Sequence, residues 1–265
     1  ELDATVLKSY DMLIVSPGVS LRESAVAAAL ESGVEVMGDV ELFARLADAP
    51  VVAITGSNGK STVTAMVGDM AQQAQMDVRV GGNIGMPVLD LLKNECPDLY
   101  VIELSSFQLE TTSSLKAVAS VILNVSPDHM DRYQDIEEYR AAKERVYLNN
   151  GQKDGVVIVN KDDPLTVQHV PEYRHCVFYG WSSPQDDEFG VAEHDGEPWL
   201  AKGKEMLLPV SSITLVGAHN VSNVLAALAL GEAAGIPMSA MLKALENFKG
   251  LPHRMEKVIS HDGVD

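Results

Sequence analysis

Residues 51–62, which read VVAITGSNGKST, constrain the fold of this chain more than any other stretch. An apolar run typical of a buried strand ends in a loop with two glycines and a lysine, and a helical pattern follows from about Ser61 to Ala74. At such a junction the first N–H groups of the helix face an anion, and the helix dipole favours negative charge. We therefore expect an α/β sheet with a phosphate-binding loop, and a solvent-exposed turn with an incidental lysine is the alternative.

The rest of the chain alternates short β-branched runs with helical patterns, which favours parallel strands joined by crossover helices. Strands are expected within DMLIVSPG, VEVMG, VRVGGNIG, LYVIELSS, AVASVILNVS and GVVIVN, and the helices between them include one ending at Lys93 and one from about Ile136 to Tyr147. Between Cys176 and Ile213 the strands become short and rich in turn residues, which indicates a small antiparallel region. Two helices follow, in AHNVSNVLAALALGEAAG and SAMLKALENF.

Pro50 marks the expected domain boundary. We predict a partial Rossmann-like N-terminal unit at residues 1–48 and a P-loop-type central domain with a mainly parallel sheet at residues 49–250. Residues 251–265 are expected to begin a linker or a further domain. The chain starts at Glu1 rather than Met and stops within a strand-like pattern, so we expect a fragment of a longer protein.

Composition limits the classes of ligand that the chain is expected to bind and the cellular compartment in which it is expected to work. The net charge of −18 argues against a general binder of nucleic acid or of acidic membranes, because polyanions bind to basic surfaces. Cys96 and Cys176 are far apart in the sequence and form no CxxC pair, which is typical of a reducing compartment. No apolar run reaches ~18 residues and no basic-then-apolar leader is present, so a cytoplasmic protein without a membrane span is expected.

The glycine loop contains the first candidate site residues. Gly56 and Gly59 would let the backbone approach phosphates, Lys60 would reach the β- and γ-phosphates, and the Ser61 hydroxyl would bind Mg²⁺. The loop departs from the G-x-x-x-x-G-K-[ST] pattern because Ile54 occupies the position of the first glycine. This shorter loop disfavours a generic P-loop ATPase or kinase.

Polar residues follow two of the expected strands. Glu103 lies in an otherwise apolar run, where a carboxylate is costly unless it is paired or bound to a metal. Asp128, His129 and Asp131 come directly after the next strand. Open α/β sheets bind ligands at the carboxyl ends of their strands, so Glu103 and His129 are candidate metal ligands. An edge-strand carboxylate and a turn-capping histidine remain the alternatives.

Lys143 lies on the apolar stripe of a helix, in line with Ile136, Tyr139 and Val146. One interpretation is a lysine whose stem packs while its amine reaches water. The other is a desolvated amine with a depressed pKa, which can react with CO₂ to give a carbamate that binds a metal.

The start of a later helix, GAHNVSNV, brings His219, Asn220 and Asn223 to one face. Convergent polar groups in an Ala- and Leu-rich helix suggest recognition of a hydrogen-bonding ligand such as a base, whereas ordinary N-capping needs only one of them. Arg254, in GLPHRME, has the right charge for a phosphate or ribose, and a surface arginine is the alternative.

Seven segments occur in one order: TGSNGKST, GGNIG, ELSSFQLE, NVSPDHMDRY, YRAAK, GAHNVSNVLAA and GLPHR. Together they resemble the ATP-dependent Mur ligases of peptidoglycan synthesis, from DMLIVSPG to the last residues. The resemblance implies three domains, which bind a UDP-sugar, ATP and an amino acid. The chain is similar to the later part of the first domain and to the whole second domain.

The resemblance also implies roles for individual residues. It assigns catalysis to Lys60, Glu103, His129 and Lys143, with Ser61 and Glu103 holding a first Mg²⁺, and His129 and carbamylated Lys143 serving a second. ATP would contact Gly56, Ser57, Asn58, Gly59, Lys60, Ser61, Thr62, Asn220, Asn223, His253 and Arg254. The UDP-sugar substrate would contact Ser16, Pro17, Gly18, Asn83, Ser105 and Gln108.

The implied reaction is the ATP-dependent addition of D-glutamate to UDP-N-acetylmuramoyl-L-alanine through an acyl phosphate, by a monomer. A fragment without the amino-acid domain is expected to be inactive by itself. Two alternatives remain: a nucleotide-binding module that does not ligate, and another amide ligase of the Mur or folylpolyglutamate type.

Overall fold

The computed structural model describes residues 2–93, 95–147, 155–168, 170, 175–215 and 217–251. Its strands form a two-stranded parallel sheet near the N-terminus and a nine-stranded sheet that organises the rest. In chain order the strands are β1 (Met12–Val15), β2 (Glu35–Gly38), β3 (Val51–Thr55), β4 (Val78–Gly82), β5 (Leu99–Glu103), β6 (Ala117–Ile122), β7 (Val156–Asn160), β8 (His175–Tyr179), β9 (Phe189–His194), β10 (Glu197–Lys202) and β11 (Glu205–Pro209).

Helices follow most of the parallel strands and cover both faces of the large sheet. They are α1 (Ala4–Leu7), α2 (Ser24–Glu31), α3 (Asp39–Leu46), α4 (Lys60–Gln73), α5 (Ser106–Glu110), α6 (Ile136–Glu144), α7 (Pro164–Val167), α8 (Ala218–Ala233) and α9 (Met238–Asn247). Short 3-10 helices occur at Val88–Leu91, Arg145–Tyr147 and Val210–Ser212.

The large sheet has the strand order β11-β10-β9-β8-β7-β6-β3-β5-β4. The pairs from β4 to β9 are parallel, although β8 and β9 meet only at Tyr179 and Phe189, and the pairs β9–β10 and β10–β11 are antiparallel. The predicted fold class, a mainly parallel α/β sheet with a small antiparallel region, is confirmed. The antiparallel part begins later than predicted, because β8 still pairs parallel with β7 and antiparallel pairing begins with β9.

Strand β3 is an interior strand of this sheet, between β6 and β5, and is buried along its whole length. Because side chains alternate along a strand, Val52 and Ile54 enter the core formed with α4, α8 and α9, while Val51 and Ala53 enter the core on the opposite face. A strand covered on both faces reads as a continuous apolar run, which explains VVAIT.

Two helical expectations need correction. The helix expected to end at Lys93 is a single 3-10 turn, Val88–Leu91, that follows Pro87. Arg79 donates a hydrogen bond to the Leu91 carbonyl oxygen at 2.7 Å, so this carbonyl does not continue a helix. Conversely, ELSSFQLE contains the short helix α5, which the sequence reading missed; a reciprocal pair of side-chain and backbone hydrogen bonds between Ser105 and Gln108 caps its start.

Helix α3 joins the N-terminal unit to the central core, although the predicted boundary at residue 48 assigns it to the first domain. Phe43 is fully buried and its ring meets that of Tyr100 edge to face at 5.2 Å. The buried Glu41 carboxylate accepts hydrogen bonds from the Ser113 and Ser114 N–H groups at 2.7 and 2.9 Å, and from Arg45 Nε at 2.9 Å. The division at residues 48 and 250 stays a prediction.

Glu41→Gln should destabilise the protein in a pH-dependent way. Burial raises the pKa of Glu41, but the hydrogen bonds from Ser113, Ser114 and Arg45 outweigh it and hold the pKa below its usual value. The carboxylate therefore stabilises the fold above the pKa of the unfolded state, and this contribution is lost as pH falls through the folded-state pKa. We expect urea unfolding to show a loss of about 1–3 kcal/mol at neutral pH that shrinks in acid. Glu31→Gln, on the exposed side of α2, is the control; a loss that does not change with pH would contradict the prediction.

Candidate active site

The carboxyl ends of three neighbouring strands form one edge of the site. Ile54 of β3 pairs with Glu103 of β5, and Thr55 pairs with Ile122 of β6. The Leu123 N–H then donates to the Thr55 carbonyl oxygen at 2.9 Å. The phosphate loop, Glu103 and the segment that leads to His129 therefore start side by side, as expected at the ligand-binding edge of an open α/β sheet.

The loop between β3 and α4 has the backbone geometry of an anion site. Gly59, at the N-cap of α4, has a φ of 86°, in the left-handed region that favours glycine. A Cβ at this position would lie 2.5 Å from Asn223 Oδ1, so a side chain is excluded by space as well. Since the first N–H groups of a helix have no carbonyl partner within it, the start of α4 favours a bound anion.

Two lysines converge on one carbonyl of this loop. Lys60 Nζ lies 2.8 Å from the Gly56 carbonyl oxygen, and Lys143 Nζ lies 3.0 Å from the same atom. Lys60 also donates to the Ser57 carbonyl oxygen at 3.0 Å. The positive charges that a phosphate would need are therefore gathered beside the loop in an otherwise acidic protein.

Lys143 is only 1% exposed, so its amine does not reach water and the snorkelling interpretation is wrong. The amine lies 4.4 Å from the centre of the Tyr139 ring. Burial, and then the charge of Lys60, lower the pKa of Lys143 to about 7, and Asp128 opposes this only in part. A large fraction of the amine is thus neutral near pH 7, the form that reacts with CO₂; the carbamate itself stays a prediction.

Glu103 is 2% exposed, and its Oε1 accepts a hydrogen bond from Asn83 Nδ2 at 3.1 Å. This contact brings together a predicted metal ligand and a predicted substrate contact. In the described ranges, no three His, Cys, Asp or Glu side chains are grouped to hold a metal. A Mg²⁺ ion at this edge would thus rely on phosphate oxygens together with Glu103 and Ser61, an all-oxygen set that this ion accepts.

His129 lies in an aromatic cluster beside the phosphate loop. Its ring centre is 4.9 Å from that of Phe107 and 6.3 Å from that of Tyr139, whose hydroxyl lies 3.3 Å from Ser57 Oγ. Its backbone has a φ of 56°, and about half of its side chain is exposed. The imidazole is therefore held near the loop and remains open to a ligand.

A cavity of about 720 Å³ lies between the phosphate loop and the start of α8. Asn58, Gly59 and Thr62 line one side, and Asn220 and Asn223 line the other. The two asparagines are nearly buried, and Asn223 Nδ2 lies 3.3 Å from Asn220 Oδ1. The size is that of a small-molecule site with a few convergent polar groups. The predicted contacts His253 and Arg254 lie outside the described residues.

Asn124 and Tyr179 are among the cavity-lining residues that sequence reasoning missed. Asn124 lies two residues after the end of β6, and a polar residue near the carboxyl end of a parallel strand is a signal that could have identified it. Tyr179 is the last residue of β8. Strand β8 pairs with β7, and β6 lies between β7 and β3, so only the order of the strands in the folded sheet brings Tyr179 to the cavity.

The residues predicted to contact the sugar substrate lie on the segments that follow β1, β4 and β5. Ser16, Pro17 and Gly18 follow β1, and Arg132 Nη1 lies 3.5 Å from the Pro17 carbonyl oxygen. Arg132 also pairs with Glu110 of α5 at 2.7 Å, which connects this loop to the helix that begins after Ser105. The Ser105 hydroxyl and the Gln108 side chain bond to each other at 3.1 Å.

These features define a nucleotide-binding α/β domain with a shortened phosphate loop. The family model described as the Mur ligase middle domain matches residues 54–231, and that described as the Mur ligase MurD-like N-terminal domain matches residues 1–38. The chain belongs to the Mur ligase family.

Two curated relatives cover almost the whole chain. The UDP-N-acetylmuramoylalanine–D-glutamate ligase of Nitrosococcus oceani is 50% identical over 262 residues, which are 99% of this chain and 57% of the relative. The ligase of the same name from Escherichia coli is 52% identical over 259 residues, which are 97% of this chain and 57% of the relative. The chain thus spans a little over half the length of these relatives.

Solved structures agree on the fold. A UDP-N-acetylmuramate:L-alanyl-gamma-D-glutamyl-meso-diaminopimelate ligase from Neisseria meningitides superposes with a TM-score of 0.67 at 18% identity, over 95% of this chain and 83% of that one. A pseudomurein peptide ligase type C from Methanothermus fervidus gives a TM-score of 0.63 at 19% identity, over 97% of this chain and 61% of that one. In the described part of our chain, no helix is both long and apolar enough to cross a membrane.

Lys143→Met should stabilise the protein at low pH. With a pKa lowered to about 7, the folded state resists protonation that the unfolded state accepts up to the usual lysine pKa. The resulting cost is complete below about pH 7 and disappears as pH rises towards 10. We expect a gain in unfolding free energy of about 1–3 kcal/mol near pH 6, which shrinks in alkaline buffer. CO₂-free urea titrations test this, with the exposed Lys116→Met as control; an equal gain at every pH would refute it.

Proposed function

We propose that this chain is the ATP-binding part of a ligase that joins D-glutamate to UDP-N-acetylmuramoyl-L-alanine in peptidoglycan synthesis. The names and identities of the curated relatives support the reaction. The observation that carries the chemistry is the convergence of Lys60 and Lys143 on the Gly56 carbonyl, at the start of a helix and beside a nucleotide-sized cavity.

In this proposal the cavity holds the adenosine of ATP, and Asn220 and Asn223 offer amide groups that match the edge of a base. The phosphates lie over the N-terminus of α4, where the helix dipole favours their charge, and the absence of a side chain at Gly59 lets Asn223 of the cavity approach this helix start. Lys60 turns from the loop carbonyls to the phosphates. Each of these groups lies at the end of a strand of the large sheet or at the start of a helix packed against it, which favours precise positioning of the nucleotide.

The acceptor carboxylate of UDP-N-acetylmuramoyl-L-alanine and the γ-phosphate are both anions, so their approach must be made favourable by positive charge. When bound, Mg²⁺ neutralises part of this charge and orients the phosphate oxygens. We assign Ser61 and Glu103 to a first ion, and His129 with carbamylated Lys143 to a second. Asn83, Ser105 and Gln108, with Ser16, Pro17 and Gly18, are proposed to hold the sugar substrate, so that its carboxylate attacks the γ-phosphorus of ATP. The new bond gives an acyl phosphate, and ADP leaves with the bridging oxygen; the amine of D-glutamate then displaces phosphate to form the amide.

Carbamylation changes Lys143 from a charge that repels metals into one that binds them. The neutral amine forms an N–C bond with CO₂ and releases one proton, and the product is an anionic carbamate. Two free cysteines, Cys96 and Cys176, agree with a reducing compartment, and we propose a cytoplasmic monomer. The rival proposals are a nucleotide-binding module without ligation and a different Mur- or folylpolyglutamate-type ligase.

Lys60→Ala should abolish most of the affinity for Mg·ATP, because Lys60 supplies the loop's mobile positive charge. Calorimetry of the wild-type chain and the variant measures this, with the exposed Lys116→Ala as control. We expect at least about a tenfold loss, or ~1.4 kcal/mol. Wild-type affinity in Lys60→Ala would refute the phosphate site. ATP affinity that does not respond to UDP-N-acetylmuramoyl-L-alanine would favour the nucleotide-binding module.

Carbamylation predicts a specific spectroscopic result. Protein equilibrated with ¹³C-bicarbonate should give one carbamate carbon resonance, because the depressed pKa of Lys143 leaves its amine reactive near neutral pH. The resonance should be absent from Lys143→Met and present in Lys116→Met. A spectrum without it in the wild-type protein would remove the carbamate from the proposal and leave the second metal without this ligand.

A further inference from the structure

We propose that Asn124 is a positioning residue that holds the phosphate loop in its binding conformation from the neighbouring strand. Asn124 lies two residues after the end of β6 and lines the cavity at its border with the loop. Its role extends the proposed nucleotide site, on which this inference rests. Nothing in the chemistry assigned so far to Lys60, Glu103, His129 and Lys143 uses this side chain.

The Asn124 side chain forms hydrogen bonds with both backbone groups of one loop residue, Asn58. The Asn58 N–H donates to Asn124 Oδ1 at 2.8 Å, and Asn124 Nδ2 donates to the Asn58 carbonyl oxygen at 3.0 Å. A primary amide that bonds both the N–H and the C=O of one residue mimics the pairing of a strand. Residue 58 is exposed, so without this clamp its backbone would bond water and move freely.

Further bonds join the same two segments on either side of the clamp. The Ser57 N–H donates to the Asn124 carbonyl oxygen at 2.9 Å. The Ser126 N–H donates to Ser57 Oγ at 3.0 Å, and Ser57 Oγ lies 3.1 Å from the Ser126 carbonyl oxygen. Residues 57–58 and 124–126 are therefore paired almost continuously, and the second segment leads to His129.

This pairing specifies which backbone groups of the loop remain for phosphate. The N–H groups of Ser57 and Asn58 are already bonded to Asn124, so they hold the loop in place. The anion is left to the start of α4 and to Lys60. Ordering the loop in advance lowers the entropy cost of binding, and this raises affinity without any contact between Asn124 and the phosphates.

The test compares ATP with adenosine in binding to wild-type protein and Asn124→Ala. Adenosine has no phosphates, so a residue that acts through the phosphate loop should affect ATP alone. We expect Asn124→Ala to weaken Mg·ATP binding by about tenfold or more and to change adenosine affinity by less than about twofold. Asn124→Asp keeps an acceptor for the Asn58 N–H and loses the donor to its carbonyl, so it should also weaken ATP binding selectively.

Asn160→Ala is the matched control. The Asn160 side chain also bonds two backbone groups, the Leu123 carbonyl oxygen at 2.8 Å and the Asp162 N–H at 3.0 Å, but it makes no such bond to the phosphate loop. We expect it to lower stability without selective loss of ATP. Unchanged ATP affinity in both Asn124 variants, parallel loss of ATP and adenosine, or an equal ATP-selective loss in Asn160→Ala would overturn the inference alone. Failure of the wild-type protein to bind ATP would overturn the nucleotide site and the inference together.

Discussion

The position of β3 determines where everything else in the site can be. Its side chains alternate between two cores, and β5 and β6 pair with it on either side, so the strand has no freedom to shift its register. A slip of one residue would exchange the side chains between the two cores and disrupt the packing of both. The Gly56 carbonyl, the start of α4 and Glu103 are therefore fixed relative to one another before any ligand arrives.

To bind the anions proposed for it, a protein with a net charge of −18 must concentrate positive charge locally. Here Lys60 and Lys143 share one carbonyl acceptor. Burial of Lys143 and the nearby charge of Lys60 together lower the pKa of Lys143. Two neighbouring ammonium groups repel each other, so the buried one, that of Lys143, gives up its proton more easily. Carbamylation would remove the repulsion altogether, since it replaces one cation with an anion next to the other.

Local patterns predicted the sheet and the places of several candidate site residues. The run VVAIT predicted the buried strand β3, and the apolar stripe around Lys143 indicated that this lysine packs against the core, while phosphate binding by the loop stays a prediction. The antiparallel boundary and the missing helix before Lys93 depended on tertiary contacts such as the one from Arg79 to Leu91, which no local pattern encodes. Tyr179 escaped prediction for the same reason, because it reaches the cavity through the order of the strands.

The shortened phosphate loop and Asn124 belong together physically. A loop with two more residues between its strand and its helix can bond to itself and surround a phosphate with its own N–H groups. A loop that begins at Gly56 is too short to do both, and its Ser57 and Asn58 backbone groups are instead bonded by the end of β6. Because that same segment continues to His129, a displacement of the phosphate loop would also displace a proposed metal ligand, so the nucleotide and metal sites are coupled by the polypeptide itself.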